Sequence, residues 1–187
     1  MFQYLPILLK RTPPMFELLS IIALVLLVGL AFFVTVTLHE LGHAIPALLM
    51  TRDEVTIYIG SLGSPYNSFH LTIGRLEFYC KYNPLLWYKG CCLCSDDYLS
   101  IDQRIWLVAG GPIASLLETL GTWVLISNLQ QEGFFRVVFG SIFVISLGAT
   151  TYSLFPNPSP RYTSSGYAVY SDTYQIFRLI RMKSRRY

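Results

Sequence analysis

Charge is scarce in this chain. Lys, Arg, Asp and Glu make up 13% of its 187 residues, against about 25% in typical soluble domains. With 53% hydrophobic residues, that deficit argues for a membrane protein. The net charge of +3 gives no reason to expect a nucleic-acid partner. There is no internal repeat and no low-complexity tract, so nothing resembles the paired halves of a transporter. Cysteines are few: Cys80, Cys91, Cys92 and Cys94. Their cluster lacks a second half with zinc-finger spacing. They are expected to be reduced loop thiols on the cytoplasmic side; palmitoylation or a second metal site is the minor alternative.

Long apolar runs are what the chain does have. Three stretches qualify as spans: about 15–50, 105–129 and 137–155. Within the first, Leu18 to Leu38 are 21 consecutive uncharged residues, roughly 31 Å as helix and enough for one bilayer core. The second is interrupted only by Glu118, and the third has no charge in its 19 residues. A signal peptide is a poor reading of the first run, which is too long and is followed by no cleavage site. The expected fold is therefore mainly α, a multi-pass membrane protein forming a single embedded domain over residues 1–187, with no added soluble sensor domain.

Basic residues suggest an orientation. Lys10 and Arg11 precede the first span, and Arg136 sits at the turn between the second and third. The remaining eleven Lys and Arg fall within 51–104 or after the third span, including Arg178, Arg181, Lys183, Arg185 and Arg186. With three spans those two regions share a side, which the positive-inside tendency makes cytoplasmic. The N-terminus is then outside a cell membrane, and the basic tail can touch anionic lipid.

Between the first two spans, Val55–Ile59 and His70–Tyr79 read as short strands, with 60–67 as a turn region. A small membrane-associated β-element is expected there. Residues 80–104, with Trp87, Tyr88 and Tyr98, read as an interfacial loop. The run Pro156-Asn157-Pro158-Ser159-Pro160 ends any helix. After a Ser/Thr/Gly/Tyr loop, Asp172–Met182 regains helical periodicity as a short amphipathic tail, with Ser171 or Asp172 as N-cap.

Against this background stands His39-Glu40-Leu41-Gly42-His43. Two histidines four apart share one helix face and can hold one Zn²⁺. The glutamate, about 100° away around the helix, can act on a metal-bound water. Ionisable groups at membrane depth cost roughly 2.5–3.5 kcal/mol each, so they usually have a function. Two histidines leave tetrahedral zinc one protein ligand short. His70, Glu118, Asp172, and Asp53 or Glu54 are the candidates for it; Pro46 and Leu49 occupy the positions a metzincin extension would need as Gly and His. Pro46 also removes a helical hydrogen bond to Gly42. Gly110, Gly111 and Pro112 read first as close packing around the site, with substrate contact the alternative.

Four blocks then resemble the site-2 protease family of intramembrane zinc metalloproteases, in a small form close to its three-helix core. Residues 37–44 (T-L-H-E-L-G-H-A) are similar to its zinc motif. Residues 109–116 (A-G-G-P-I-A-S-L) resemble its A-G-P-x-x-N element. Asn157-Pro158 resembles its Asn/Pro-rich loop, and residues 171–176 (S-D-T-Y-Q-I) its S-D-G continuation. The resemblance covers about 30–180 and implies that Asp172 is the third zinc ligand beside His39 and His43, with one Zn²⁺ per chain and Glu40 as catalytic base. Glu118, expected to face the bundle interior, is a ligand or a hydrogen-bond partner of one; Asn157, Gly111 and Pro112 are candidate supporting or substrate-loop residues. The implied substrates are transmembrane segments of other membrane proteins, with a regulatory membrane partner allowed. Thr173 stands where the family usually has Gly, Ser115 near its usual Asn, and Asn157 farther from Asp172 than in many members. Those departures motivate a second reading, a catalytically degenerate zinc-binding relative that acts by binding partners. An extended substrate pairing with strand 55–59 or 70–79 by β-addition is a further expectation.

Overall fold

The computed structural model describes residues 14–128 and 133–185. Lys10, Arg11, Leu129 and Arg186, used in the readings above, lie outside them. Three helices are long and apolar enough to cross a membrane: α1 (Pro14–Met50), α2 (Ile101–Asn128) and α3 (Phe134–Leu154). Their outward faces carry exposed Leu26, Leu117, Trp123, Val137 and Leu147. Inside, the packing is small and polar: Ser115, Thr119, Thr122, Ser146, Thr150 and Ser153 are buried, and the hydroxyls of Thr119 and Thr150 meet at 3.1 Å. Apolar outside and small or hydroxylic inside suits helices packed in lipid.

The closest helix crossing explains two glycines. A Cβ at Gly42 would overlap the Gly110 carbonyl, and one at Gly110 would overlap the Gly42 carbonyl. Pro46, inside α1, has no N–H to offer that Gly42 carbonyl, which therefore turns to the facing helix. Neighbouring side chains cannot relieve a clash with backbone. Gly42→Ala should therefore lower stability in detergent by at least about 2 kcal/mol, read as a fall in melting temperature. Gly121→Ala is the control, since nothing lies within 4 Å of a Cβ there. Equal melting of the two variants would contradict the crossing.

Between α1 and α2 lies a four-stranded sheet: β1 (Val55–Ile59), β2 (Ser68–Ile73), β3 (Leu76–Lys81) and β4 (Gly90–Cys94), in the order β2-β3-β1-β4. β1 pairs parallel with β3 and antiparallel with β4. One sheet face, through Val55, Ile57, Ile59 and Cys80, packs on Ala44 and Ala47 of α1. Alanine at both helix positions lets the sheet sit close.

Two expectations need correcting. The 70–79 segment is a hairpin of two strands rather than one strand. Gly74, at φ +60°, fills the first position of a two-residue turn before Arg75, where a II′ hairpin requires glycine. The Arg75 guanidinium then donates to the Leu48 and Thr51 carbonyls at the end of α1, both at 2.6 Å. The 80–104 segment is more than an interfacial loop, because it contains β4 and a 3-10 turn at Pro84–Leu86. Beyond α3, the proline run is non-helical as expected. The following loop includes a short hairpin, β5 (Arg161–Tyr162) with β6 (Ala168–Val169), before α4 (Asp172–Ser184). Ser171 occupies the N-cap position of α4 without a side-chain cap bond.

Candidate metal centre

His39 and His43 lie one turn apart on α1 and meet Asp172, the first residue of α4. His39 Nε2 is 3.2 Å from one Asp172 oxygen, His43 Nε2 is 3.5 Å from the other, and the two Nε2 atoms are 3.3 Å apart. Ligands about 2.0–2.1 Å from a tetrahedral zinc stand about 3.3 Å from one another. Each histidine meets a different oxygen of the one carboxylate, and a single donor atom from each residue lies within 4.8 Å of the others, so the three can converge on one ion. They are the group of His, Cys, Asp and Glu found, among the described residues, that can hold a metal ion.

The far side of the His43 imidazole fixes what that ring presents inward. His43 Nδ1 is 3.0 Å from the Leu107 carbonyl. A carbonyl only accepts, so Nδ1 carries the proton and Nε2 presents its lone pair. His39 Nδ1 lies 2.9 Å from the hydroxyl of Ser115, which is fully buried. The His43 lone pair and an Asp172 oxygen face each other at 3.5 Å, and a cation between them relieves their repulsion. The donor set fits a divalent ion.

Other residues build the surroundings. A Cβ at Gly111 would overlap the His43 ring, so this glycine serves packing against a ligand. Pro112, buried in α2, leaves the Val108 carbonyl without its helical donor and loosens the turn from which Leu107 reaches His43. Asn157 acts through the backbone: its N–H donates to Ser171 Oγ at 2.8 Å, while its side chain accepts from Ser159 N–H at 2.9 Å. The proline loop is thereby tied to the residue before Asp172. Thr173 donates to the Ser153 carbonyl at 2.7 Å and fastens α4 to the end of α3.

The remaining ligand candidates stay apart from the triangle. Glu118 accepts from the Thr35 hydroxyl at 3.0 Å, and its second oxygen is buried without a hydrogen-bond partner. His70 is exposed and stacks on Tyr79 with ring centroids 4.3 Å apart. Asp53 and Glu54 are exposed just past α1. Ser115 was legible only as a departure from a motif; its contact with His39 needed α1 and α2 to be set side by side. Removing such an outer partner typically costs 10–100-fold in metal affinity. Ser115→Ala should lose about that much, measured by chelator competition. An unchanged affinity would deny Ser115 this role.

Glu40 is buried on the neighbouring face of α1. A Cβ at Gly90 of β4 would overlap its carboxylate, so this strand packs directly on it. Glu40, both histidines and Asp172 open onto one cleft of about 1360 Å³, which runs between α1, α3, β4 and the loop before α4. Most of its wall is apolar, with Val28, Phe32, Val144 and Ala149 among the lining residues.

The cysteines form no ligand group among the described residues, and all four are free thiols. Burial, then the Glu40 charge, pushes the Cys91 thiol up to about 12; burial, then Asp96 and Asp53, pushes Cys94 to about 11. Both are protonated at neutral pH, so alkylation of Cys91 should run about 10³-fold slower than for a free thiol at pH 7.5. Above about pH 9 unfolded thiols ionise first, so this contribution to stability falls as pH rises. Fast labelling of the folded chain would contradict that environment.

No family model and no curated protein matches the chain, so three donors, a buried glutamate and the cleft they share are what its function must be read from.

Proposed function

We propose that this chain is an intramembrane zinc endopeptidase of site-2 protease type, cutting peptide bonds in or near the transmembrane segments of other membrane proteins. The observation that carries the reading is the convergence of His39, His43 and Asp172, one donor atom of each within 4.8 Å of the others, with Glu40 opening onto the same cleft. Two nitrogens and one oxygen, with a position left for water, suit zinc in its catalytic form. When bound there, zinc supplies an acidified water and polarises the carbonyl to be attacked.

The chain's own residues do the rest. Glu40 takes the proton released as the water oxygen bonds to the carbonyl carbon. It returns that proton to the amide nitrogen as the C–N bond breaks. The mostly apolar wall of the cleft and the burial of Glu40 itself limit the access of bulk water to that exchange. Ser115 and the Leu107 carbonyl hold the imidazoles so that no reorganisation is needed.

A substrate helix must unwind before its carbonyl can be reached. The expected strand partner changes here. β1 is paired on both sides and β3 is internal, whereas β4 is an edge strand lying against Glu40. β4 is the edge for β-addition of an unwound segment; of the two segments first considered, 55–59 has no free edge. The other edge strand, β2, pairs with β3 on the side away from β1 and β4.

Membrane insertion with the C-terminus and cleft mouth toward the cytoplasm completes the reading, supported by three apolar helices and the basic residues beyond them. The degenerate-relative alternative drew on Thr173 and Ser115, yet both make contacts that serve the site. The test is cleavage of single-span proteins by purified protein in lipid discs. Activity should vanish with a strong chelator and return with zinc. Persistent cleavage in chelator would refute the proposal, and bound zinc without cleavage of any substrate would favour the alternative.

A further inference from the structure

Asp172 is the one metal-facing donor that α1 does not supply, and it arrives at the N-terminal tip of α4. α4 buries only Leu179. It packs along α2, and its polar ties include the Thr173–Ser153 bond, the Asn157–Ser171 bond, the Gln175–Tyr170 bond and a Lys183–Asp102 ion pair at 2.6 Å to the first turn of α2. Whatever steadies α4 also steadies the third donor.

The outward side of α4 is unlike the rest of the surface. Arg178, Arg181 and Arg185 follow i, i+3, i+7 spacing and form one exposed stripe. None has a carboxylate partner among the described residues; Arg178 lies over the Tyr170 ring. Exposed Phe177 and Ile180 border the stripe on one side and exposed Met182 on the other. Three like charges in a row repel one another and call for an anion. Apolar side chains flanking them call for a partner that is greasy below and anionic above.

We infer that α4 docks on the anionic lipid surface of the membrane, and that this docking holds Asp172 against His39 and His43. An amphipathic helix with an Arg stripe matches such a surface. An acidic soluble protein would satisfy the arginines but would leave Phe177, Ile180 and Met182 without a role. The inference rests on the membrane and metal readings above. It makes membrane charge an effector of metal occupancy: lipid favours the docked helix, the docked helix favours the metal, and by linkage the metal favours lipid contact.

The experiment compares the purified full chain in phosphatidylcholine discs with the same chain in discs doped with phosphatidylglycerol. Amide exchange across 172–185 should slow roughly tenfold in the doped discs, and zinc affinity by chelator competition should tighten by a similar factor. Both differences should fade at high salt and disappear in R178Q/R181Q/R185Q, whose exposed glutamines keep helix propensity. Identical exchange in the two discs overturns the docking. So does an equal effect from soluble inorganic phosphate in undoped discs, or a triple variant that still responds. An exchange difference without an affinity difference overturns the link to Asp172. Neither readout needs proteolysis, so a chain that cut nothing would leave this inference standing while removing the proposed activity.

Discussion

Glu40→Gln lowers turnover on a transmembrane substrate by roughly 10³-fold, within the usual range for a lost general base, while bound zinc stays at about one per chain. The side chain keeps its shape, so Gly90 of β4 still packs against it. An amide cannot accept the proton that the attacking water must lose. Glu40 is outside the donor triangle, so metal content should not follow activity down. Paired metal analysis and single-turnover cleavage would check this. Retained proteolysis excludes Glu40 as base; lost zinc would instead make it a ligand.

Asp172→Ala should empty the site, with affinity falling well beyond the 10–100-fold expected for an outer partner. Two histidines would remain on α1, with no third donor at 3.2–3.5 Å from them. Glu118→Gln is the informative companion. Glu118 already bonds Thr35 across the α1–α2 interface, so its amide should leave zinc in place. Unaltered stoichiometry in Asp172→Ala, together with loss in Glu118→Gln, would transfer the third position to Glu118. The difference between these variants is large because one removes a charge from between two imidazoles and the other does not.

Local signals carried much of the fold. The 37-residue α1, the uncharged α3 and the proline stop after it followed from hydropathy and backbone chemistry, and their ends agree with expectation within a few residues. The H-E-x-x-H spacing put two histidines on one face whatever else the chain did. Strand β1 was legible because V-T-I-Y-I is β-branched apart from the aromatic Tyr58, and both kinds of side chain favour strands. The turn at Gly74-Arg75 was passed over because alternation continues on both sides of it, although a lone glycine in such a pattern is the available sign. Strand β4 had no local sign. Gly-Cys-Cys-Leu-Cys becomes a strand by pairing with β1, and pairing is a property of the partner.

What the sequence alone determined, then, is what short range dictates: apolar helices of bilayer length, a two-histidine helix face, and the point where the third helix must end. Tertiary structure decided which carboxylate completes the centre and what steadies it. Asp172 meets His43 across 129 positions of chain (172 − 43), and Ser115 meets His39 across 76. Spacing rules reach only as far as one helix or strand. Over longer separations the chain brings residues together through packing, here through paired glycines at Gly42 and Gly110 and a loop pinned by Asn157, and those distances exist only in the folded molecule.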